Sequence, residues 1–315
     1  MQASADFIIR DYKTGDEEGI TSLFRQVFGQ DMTLTQWTWK YGVLGKGNMY
    51  IKVAEDASKR IIAHVGGIPL RGVFRHSKMQ FFQMTDVMVH PEVRGFLGRK
   101  NIFDVIMKSA FEDIERDFPD VFCYGFSGAR PFIIGKRVGI YDEVEQAVDI
   151  STQLSRSFFN PYTVHTMQWD DDRLDSFWDG VSKGISLAVV RDKEYLCWRY
   201  STNPFFTYRF LGFFLFGKLK GWVVIRRSAD ETLVIDLLTE RQRCGNILKS
   251  LCNYLICTGE KKMRFWLPPN WRDTIKGYSF QESGVIVTNV VWKLPLQTPV
   301  VKDNFYYTMG DVDIF

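Results

Sequence analysis

The side chains whose types and spacing could do chemistry are concentrated between Arg94 and Lys100. There the order Arg94-Gly95-Phe96-Leu97-Gly98-Arg99-Lys100 sets two glycines among three cations, directly after a β-branched apolar run and directly before an amphipathic one. Glycine lets a backbone come close to a ligand and point its N–H groups inward. A following helix adds the partial positive charge of its N-terminus and the three side chains add full charges, so the segment is an anion cradle suited to a pyrophosphate. It is not a P-loop, because no Gly-Lys-Ser/Thr follows, and it is not the G-x-G-x-x-G dinucleotide fingerprint.

Two elements must position this cradle. Thr85 to Val89 has the composition of a buried strand, and Pro91 ends it because proline cannot donate to a ladder. Ile102, Phe103, Ile106, Met107, Ala110, Phe111 and Ile114 then recur at steps of three and four, which predicts a helix with one stripe against a sheet. Upstream, the pattern predicts a short strand at Phe7–Arg10, a helix from the acidic run at Thr14 to Gly29, and a second helix holding Trp37, Trp39 and Tyr41. Strands follow at 49–55 and 60–75 across the turn Asp56-Ala-Ser-Lys59. Downstream, Val121–Phe126 reads as a strand, Ser127 to Gly139 as a helix with Pro131 in its first turn, and Ile150 to Thr166 as the join between two halves.

Strand, Val89-His90-Pro91, Arg94-Gly95, loop and helix together resemble the coenzyme A-binding motif of the GNAT acyltransferases. That family usually writes the loop Arg/Gln-x-x-Gly-x-Gly/Ala; counted from Arg94, this chain has Leu97 and Arg99 at the glycine positions, with Gly98 between them. The resemblance implies an α/β fold with a mixed sheet. It further implies that an acyl-coenzyme A, in the first place acetyl-coenzyme A, is held by Val87, Met88 and Val89 on the strand and by Arg94 to Lys100 in the loop. Ser127 and Arg130 after the next strand complete that cofactor set. The family's Asn-x-x-Ala…Tyr-x-x-x-Gly-Phe segment falls near Ser127 or Gly128, with Gly135 in the place of the tyrosine that commonly acts as general acid and Gly139-Ile140 in the place of Gly-Phe.

Catalytic candidates follow from the same resemblance. Asp86 stands where related acyltransferases often carry an acidic residue, and it reads equally well as a carboxylate paired with a nearby arginine. Tyr124 and Tyr141 are the tyrosines that could replace the missing acid, although a core tyrosine is the commoner fate. Tandem members such as the enhanced-intracellular-survival type and the N-myristoyltransferases use a terminal carboxylate, which here would be that of Phe315, with Asp311 and Asp313 nearby.

The second half repeats the order of the first. Trp198-Arg199-Tyr200 echoes Trp39-Lys40-Tyr41, a hairpin spans Phe205–Arg226, and Leu233–Leu238 carries Asp236 as the earlier strand carries Asp86. A helix with Ile247, Leu248, Leu251, Tyr254 and Leu255, a strand at Arg264–Leu267, a helix at Asn270–Lys276 and a closing turn at Gly277–Phe280 complete the series. The expected organisation is two tandem GNAT-like domains, 1–150 binding coenzyme A and 151–315 degenerate, with the cleft between them taking a small-molecule amine.

Composition limits the other classes. The 315 residues carry a formal charge of +3, 24% charged and 45% apolar side chains, a globular balance without the footprint of a nucleic-acid binder. No apolar run reaches the roughly 18 residues of a membrane span and no secretory signal pattern opens the chain, so a cytoplasmic protein with no membrane partner is expected. Five cysteines and four histidines show no metal-ligand spacing, so no metal is expected, and Asp170-Asp-Asp172 reads as a solvated helix start. Homo-oligomerisation is left open. So are a longer acyl or aminoacyl-tRNA donor, a catalytically silent acyl-coenzyme A sensor or scaffold, and an unrelated phosphate-binding α/β protein.

Overall fold

The computed structural model describes residues 7–42, 49–94, 101–158 and 160–313. The chain forms β1 (Phe7–Asp11), α1 (Glu17–Phe28), α2 (Leu34–Gly42), β2 (Tyr50–Asp56), β3 (Ile61–Phe74), β4 (Ser77–Val89), α3 (Ile102–Asp117), β5 (Val121–Gly128) and α4 (Ala129–Arg137). It continues through β6 (Tyr141–Gln153), β7 (Thr163–Thr166), α5 (Arg173–Val181), β8 (Leu187–Val189), α6 (Lys193–Leu196), β9 (Arg209–Leu215), β10 (Lys218–Ser228) and β11 (Glu231–Thr239). Last come α7 (Cys244–Cys257), β12 (Lys262–Phe265), α8 (Pro269–Arg272), β13 (Ser279–Val290) and α9 (Thr298–Asn304). Among the described residues no helix is long and apolar enough to cross a membrane.

Two compact units share these elements. The first comprises the described parts of Met1–Arg71, Met79–Val144 and Ile286–Pro299; the second comprises Gly72–Lys78, Glu145–Val285 and Val300–Phe315. Strands of the first unit run in the order β1-β2-β3-β4-β5 and then residues 286–290 of β13, and those of the second in the order β6 (from Glu145)-β12-β11-β10-β9-β7. Position 150 lies inside β6.

In the first unit the local signals act as read. Gly29 closes α1 at φ 69°, a left-handed conformation glycine adopts without strain, and Asn101 caps α3 by accepting from the Phe103 N–H at 3.0 Å. All seven residues of the α3 stripe are buried, in one cluster with Ala54, Ile62, Val65, Phe82 and Cys123. Each of the larger side chains contributes roughly 1.5–3 kcal/mol on burial.

Several expectations need correction. Ile150 to Thr166 is not an open join: β6 runs to Gln153, paired to β12, and β7 pairs antiparallel with β9. Ser127 belongs to β5, not to the helix after it. The strand expected from Phe205 begins at Arg209, because Asn203 accepts from the N–H groups of Phe205 (2.8 Å) and Phe206 (3.1 Å) and turns the chain there. The helix at 270–276 is one turn, Pro269–Arg272, and the closing turn at 277–280 leads straight into β13.

One glycine has a packing cause that the sequence did not show. A Cβ on Gly135 of α4 would run into the ring of Tyr141, which is 5% exposed. Gly135→Ala is therefore expected to lower stability by about 1–3 kcal/mol through overpacking. Urea unfolding measures it, and the same substitution in a Tyr141→Leu background should cost clearly less, since the two sites share one space.

Candidate active site

Strands β4 and β5 run parallel, and their register pairs Gln80 with Val121, Phe81 with Phe122, Phe82 with Cys123 and Gln83 with Tyr124. Among the described residues the pairing stops there, while β4 continues to Val89 and β5 to Gly128. The two strands part. Beyond Gln83, the edge that β4 turns toward β5 has main-chain donors and acceptors that this ladder does not use.

At the parting stands Asp86, with φ 47°, a left-handed backbone inside a strand. Such a conformation costs of order 1–3 kcal/mol unless the surroundings hold it, and here they do. Lys40 Nζ lies 2.7 Å from Asp86 Oδ1, and the Tyr41 hydroxyl donates to Oδ2 at 2.6 Å; the Lys40 and Asp86 side chains are 5% and 6% exposed. His64 on β3 contacts the Asp86 carbonyl through Nδ1 at 2.7 Å. Because a carbonyl only accepts, Nδ1 carries the proton. Burial pushes the His64 pKa down, which favours the neutral ring, and its Nε2 is a buried acceptor with no hydrogen-bond partner among the described residues. Tyr41 needs Gly66 beneath it, since a Cβ there would meet its ring and hydroxyl.

Other candidates are distributed around this fork. Met88 is fully buried, and Val87 and Val89 are half-buried against the α3 cluster. Arg94 is exposed and its Nε donates to the Val89 carbonyl at 2.8 Å, capping the strand end. His90 belongs to the turn before Pro91, its Nδ1 accepting from the Glu92 N–H at 3.3 Å. Ser127 is half-buried near the end of β5 and Arg130 is exposed on α4. Tyr124, on the last paired residue of β5, is fully buried and stacks on Phe122 at 5.4 Å, and Tyr141 lies in the apolar cluster, its hydroxyl pKa raised by burial. Gly95, Phe96, Leu97, Gly98, Arg99, Lys100 and Phe315 lie outside the described residues. Among the described residues no cluster of His, Cys, Asp or Glu could hold a metal ion.

The second unit repeats the motif with different partners. The Tyr200 hydroxyl donates to Asp236 Oδ2 at 2.8 Å, as Tyr41 does to Asp86. The cation, however, is Arg191, fully buried between Asp236 (Nε to Oδ1, 3.0 Å) and Asp311. Thr308 donates its hydroxyl to Asp236 at 2.8 Å and its N–H to Asp311 at 2.8 Å. Arg199, the sequence counterpart of Lys40, donates instead to the carbonyls of Gly310 (3.0 Å) and Val312 (2.6 Å). One guanidinium thus serves two carboxylates. Asp236 has the extra donors, so the shortage falls on Asp311, whose buried Oδ1 has no partner among the described residues; burial and the Asp236 charge raise its pKa to about 6.

Residues 8–134 match the profile of the acetyltransferase (GNAT) domain. That segment is similar to a GNAT domain. The fold is mixed α/β with a large mixed sheet, and over about nine tenths of the chain it is similar to solved structures of GNAT acyltransferases. A protein of unknown function from Enterococcus faecalis V583, described as a probable N-acyltransferase, superposes with a TM-score of 0.71 at 13% identity, covering 90% of this chain and 72% of that one. A GCN5-related N-acetyltransferase from Kribbella flavida gives 0.66 at 13% identity, with coverage of 90% and 71%. Saccharomyces cerevisiae N-myristoyltransferase with bound myristoyl-CoA gives 0.58 at 9%, with coverage of 92% and 84%. No curated protein matches the sequence.

Sequence reasoning had Asp86 but not Lys40, Tyr41 and His64 as its partners. The one available signal was the Lys-Tyr pair echoed as Arg-Tyr in the second half. Lys40→Met should cost about 3–5 kcal/mol by stripping the cation from a buried carboxylate, and Lys40→Met/Asp86→Asn should recover most of it in urea unfolding. In the second unit, a folded Asp311 pKa near 6 exceeds the unfolded value. The folded state then binds the extra proton between about pH 4 and 6, so this group's stabilisation is full below about pH 4 and is lost as pH rises through 6. The Tm of the native chain minus that of Asp311→Asn should fall over that window; a flat difference would contradict the assignment.

Proposed function

We propose that this chain is an N-acyltransferase that moves an acyl group, acetyl in the first instance, from coenzyme A to a primary amine of a small molecule. The parting of β4 from β5 after Gln83 and Tyr124, inside the segment that matches the GNAT domain, carries this reading. The acyl-coenzyme A supplies the thioester that the neutral amine attacks: the C–N bond forms, the C–S bond breaks with the thiolate leaving, and the nitrogen gives its proton to solvent. Main-chain N–H groups of β4 beyond its ladder with β5 are the donors suited to the oxygen as it gains charge. No side chain is required for that task.

Asp86 is engaged on both oxygens, so its role here is positioning: with Lys40, Tyr41 and His64 it fixes the backbone where β4 leaves its neighbour. Tyr124 is the residue proposed to return a proton to the thiolate. That demand is modest, because a thiol pKa of about 8.5 makes the thiolate a good leaving group. The proposal includes residues 1–150 as the donor-binding domain, residues 151–315 as a degenerate second copy concerned with the acceptor, and a cytoplasmic location.

Two further readings are each favoured by one observation. Gly135 stands at the family's tyrosine position with Tyr141 packed over it, as expected of a silent acyl-coenzyme A sensor, and a neighbour in fold holds myristoyl-CoA, as expected of a long-chain donor. Isothermal titration with acetyl-CoA and myristoyl-CoA, followed by thiol release across an amine panel, separates these. Acetyl-CoA binding with amine-dependent thiol release is expected; silence toward both thioesters would overturn the assignment. Arg94→Ala/Arg99→Ala should weaken binding by about 1–3 kcal/mol through lost charge-assisted contacts, read from the same titration.

A further inference from the structure

We infer that the outer edge of β7, in the second unit, is a docking site for an extended peptide segment of another protein, which adds a strand beside Val164 and Thr166 and sets an uncharged side chain in the cavity next to His165. Among the described residues β7 ends the strand order and pairs with β9 alone, in the register Thr163–Phe214, Val164–Phe213, His165–Gly212 and Thr166–Leu211. One step further along the same register, the Met167 N–H donates to the Phe210 carbonyl at 2.9 Å. Opposed residues of an antiparallel ladder alternate between bonded and non-bonded pairs. With Met167 bonded, His165 and Thr163 also turn their main-chain groups to β9, and Val164 and Thr166 turn theirs outward. Val164 is half-buried and Thr166 exposed, and among the described residues neither has a main-chain partner on that side.

These outward groups call for a strand. Along the edge, the N–H and C=O of Val164 and those of Thr166 repeat at about 6.8 Å, a spacing that extended backbone matches and a small ligand does not. β7 also lacks the usual guards of a free edge: it holds neither lysine nor proline, and its register with β9 runs without a bulge. In an added strand, the residue opposite His165 puts its side chain on the face of Thr163, His165 and Phe214. That face borders a cavity of about 450 Å³ lined by Thr163, His165, Thr166, Gln168, Arg173 and Phe214. The lining can be reached, since Thr163, His165, Thr166, Gln168 and Arg173 are all exposed. Arg173 binds Asp171 through Nε (2.8 Å) and Nη2 (2.6 Å), and its guanidinium carbon lies 4.9 Å from the centroid of the Phe214 ring. Because that cation is matched, an acidic side chain finds no open ion pair there and a basic one meets a like charge. The Thr166 hydroxyl, the Gln168 amide and the His165 ring remain, and these pair with an uncharged polar group. Phe216, in the β9–β10 turn, is 96% exposed at φ 48°, and its neighbour Gly217 lines the same cavity. A ring left in the open one residue from the cavity favours a protein partner, which can cover it, over a small ligand.

The inference does not rest on acyl transfer. Its test is NMR of the full chain with labelled amides, titrated with acetylated and amidated heptapeptides that alternate threonine and valine and carry glutamine, tyrosine, glutamate or lysine at the centre. Saturable shifts of the Val164 and Thr166 amides are expected, with the glutamine or tyrosine peptide binding about fivefold more tightly than the glutamate or lysine one. N-methylation of the two threonines flanking the centre, whose N–H groups face β7, should abolish the shifts, and N-methylation of the valines should leave them. Val164→Pro is the counterpart on the protein: the N–H it removes points outward, so the ladder to β9 is spared, and peptide binding should weaken about tenfold. The site is overturned if no peptide shifts those amides saturably, if all four bind alike, or if methylation of either set has the same effect. Shifts of the same amides on concentrating the free chain, with a dimer in sedimentation, would give the edge to a second copy and overturn the proposal as well.

Discussion

A carboxylate on an interior strand, pinned by a tyrosine hydroxyl and a buried cation, is the constraint on which the first unit depends. Asp86 sits where β4 has just left β5, in a backbone conformation that a strand does not otherwise adopt. Taking one charge out of water costs several kcal/mol, and attraction to a second repays it only when the geometry is good and the remaining oxygens are satisfied. Lys40 and Tyr41 supply both, from adjacent positions of one helix. His64 on β3 holds the Asp86 carbonyl. Side chain and main chain are thus fixed together, so β4 can part from its neighbour without fraying.

The second unit uses the same tyrosine–aspartate bond for another end. There the residue before the tyrosine is Arg199, and its guanidinium goes to two carbonyls of the segment at 310–312. Arg191 takes over the charge, and Asp311 and Thr308 from that same segment join it. A stretch near the end of the chain is thereby built into the polar core of the unit. Its aromatic residues Tyr306 and Tyr307 are fully buried as well. An Asp311 so engaged is a structural acid, and its missing donor reflects a cluster with one cation fewer than its carboxylates.

Much of this was legible in the sequence. The α3 stripe, Gly29 and the turn at 56–59 could all be read, because each rests on a local rule that tertiary packing did not override. β6 could not. Its buried residues Tyr141, Val144, Ala147 and Ile150 recur every third position among Asp142, Glu143, Glu145 and Asp149, a spacing closer to a helix than to a strand. Its neighbours in the sheet, supplied from far along the sequence, impose the extended form. The partners of Asp86 escaped for a related reason: Lys40 looks like a solvated helix residue until the helix is packed, and only the echo Arg199-Tyr200 marked it.

Gly135 shows how a departure from a family pattern can be structural before it is chemical. Where the family commonly places its tyrosine, this chain has no side chain at all, and the ring of Tyr141 lies over the bare backbone. The two substitutions are one packing solution: a side chain restored at 135 would collide with the ring, and a smaller residue at 141 would leave a void beside Phe103, whose ring meets Tyr141 at 6.3 Å. Tyr141 fills the volume but points no titratable group at the fork, since its hydroxyl is enclosed in apolar surroundings that disfavour the phenolate. On the transferase reading, the acid proposed at this fork comes from β5, where Tyr124 stands at the last paired residue. Otherwise the thiolate must take its proton from water, which its low basicity allows.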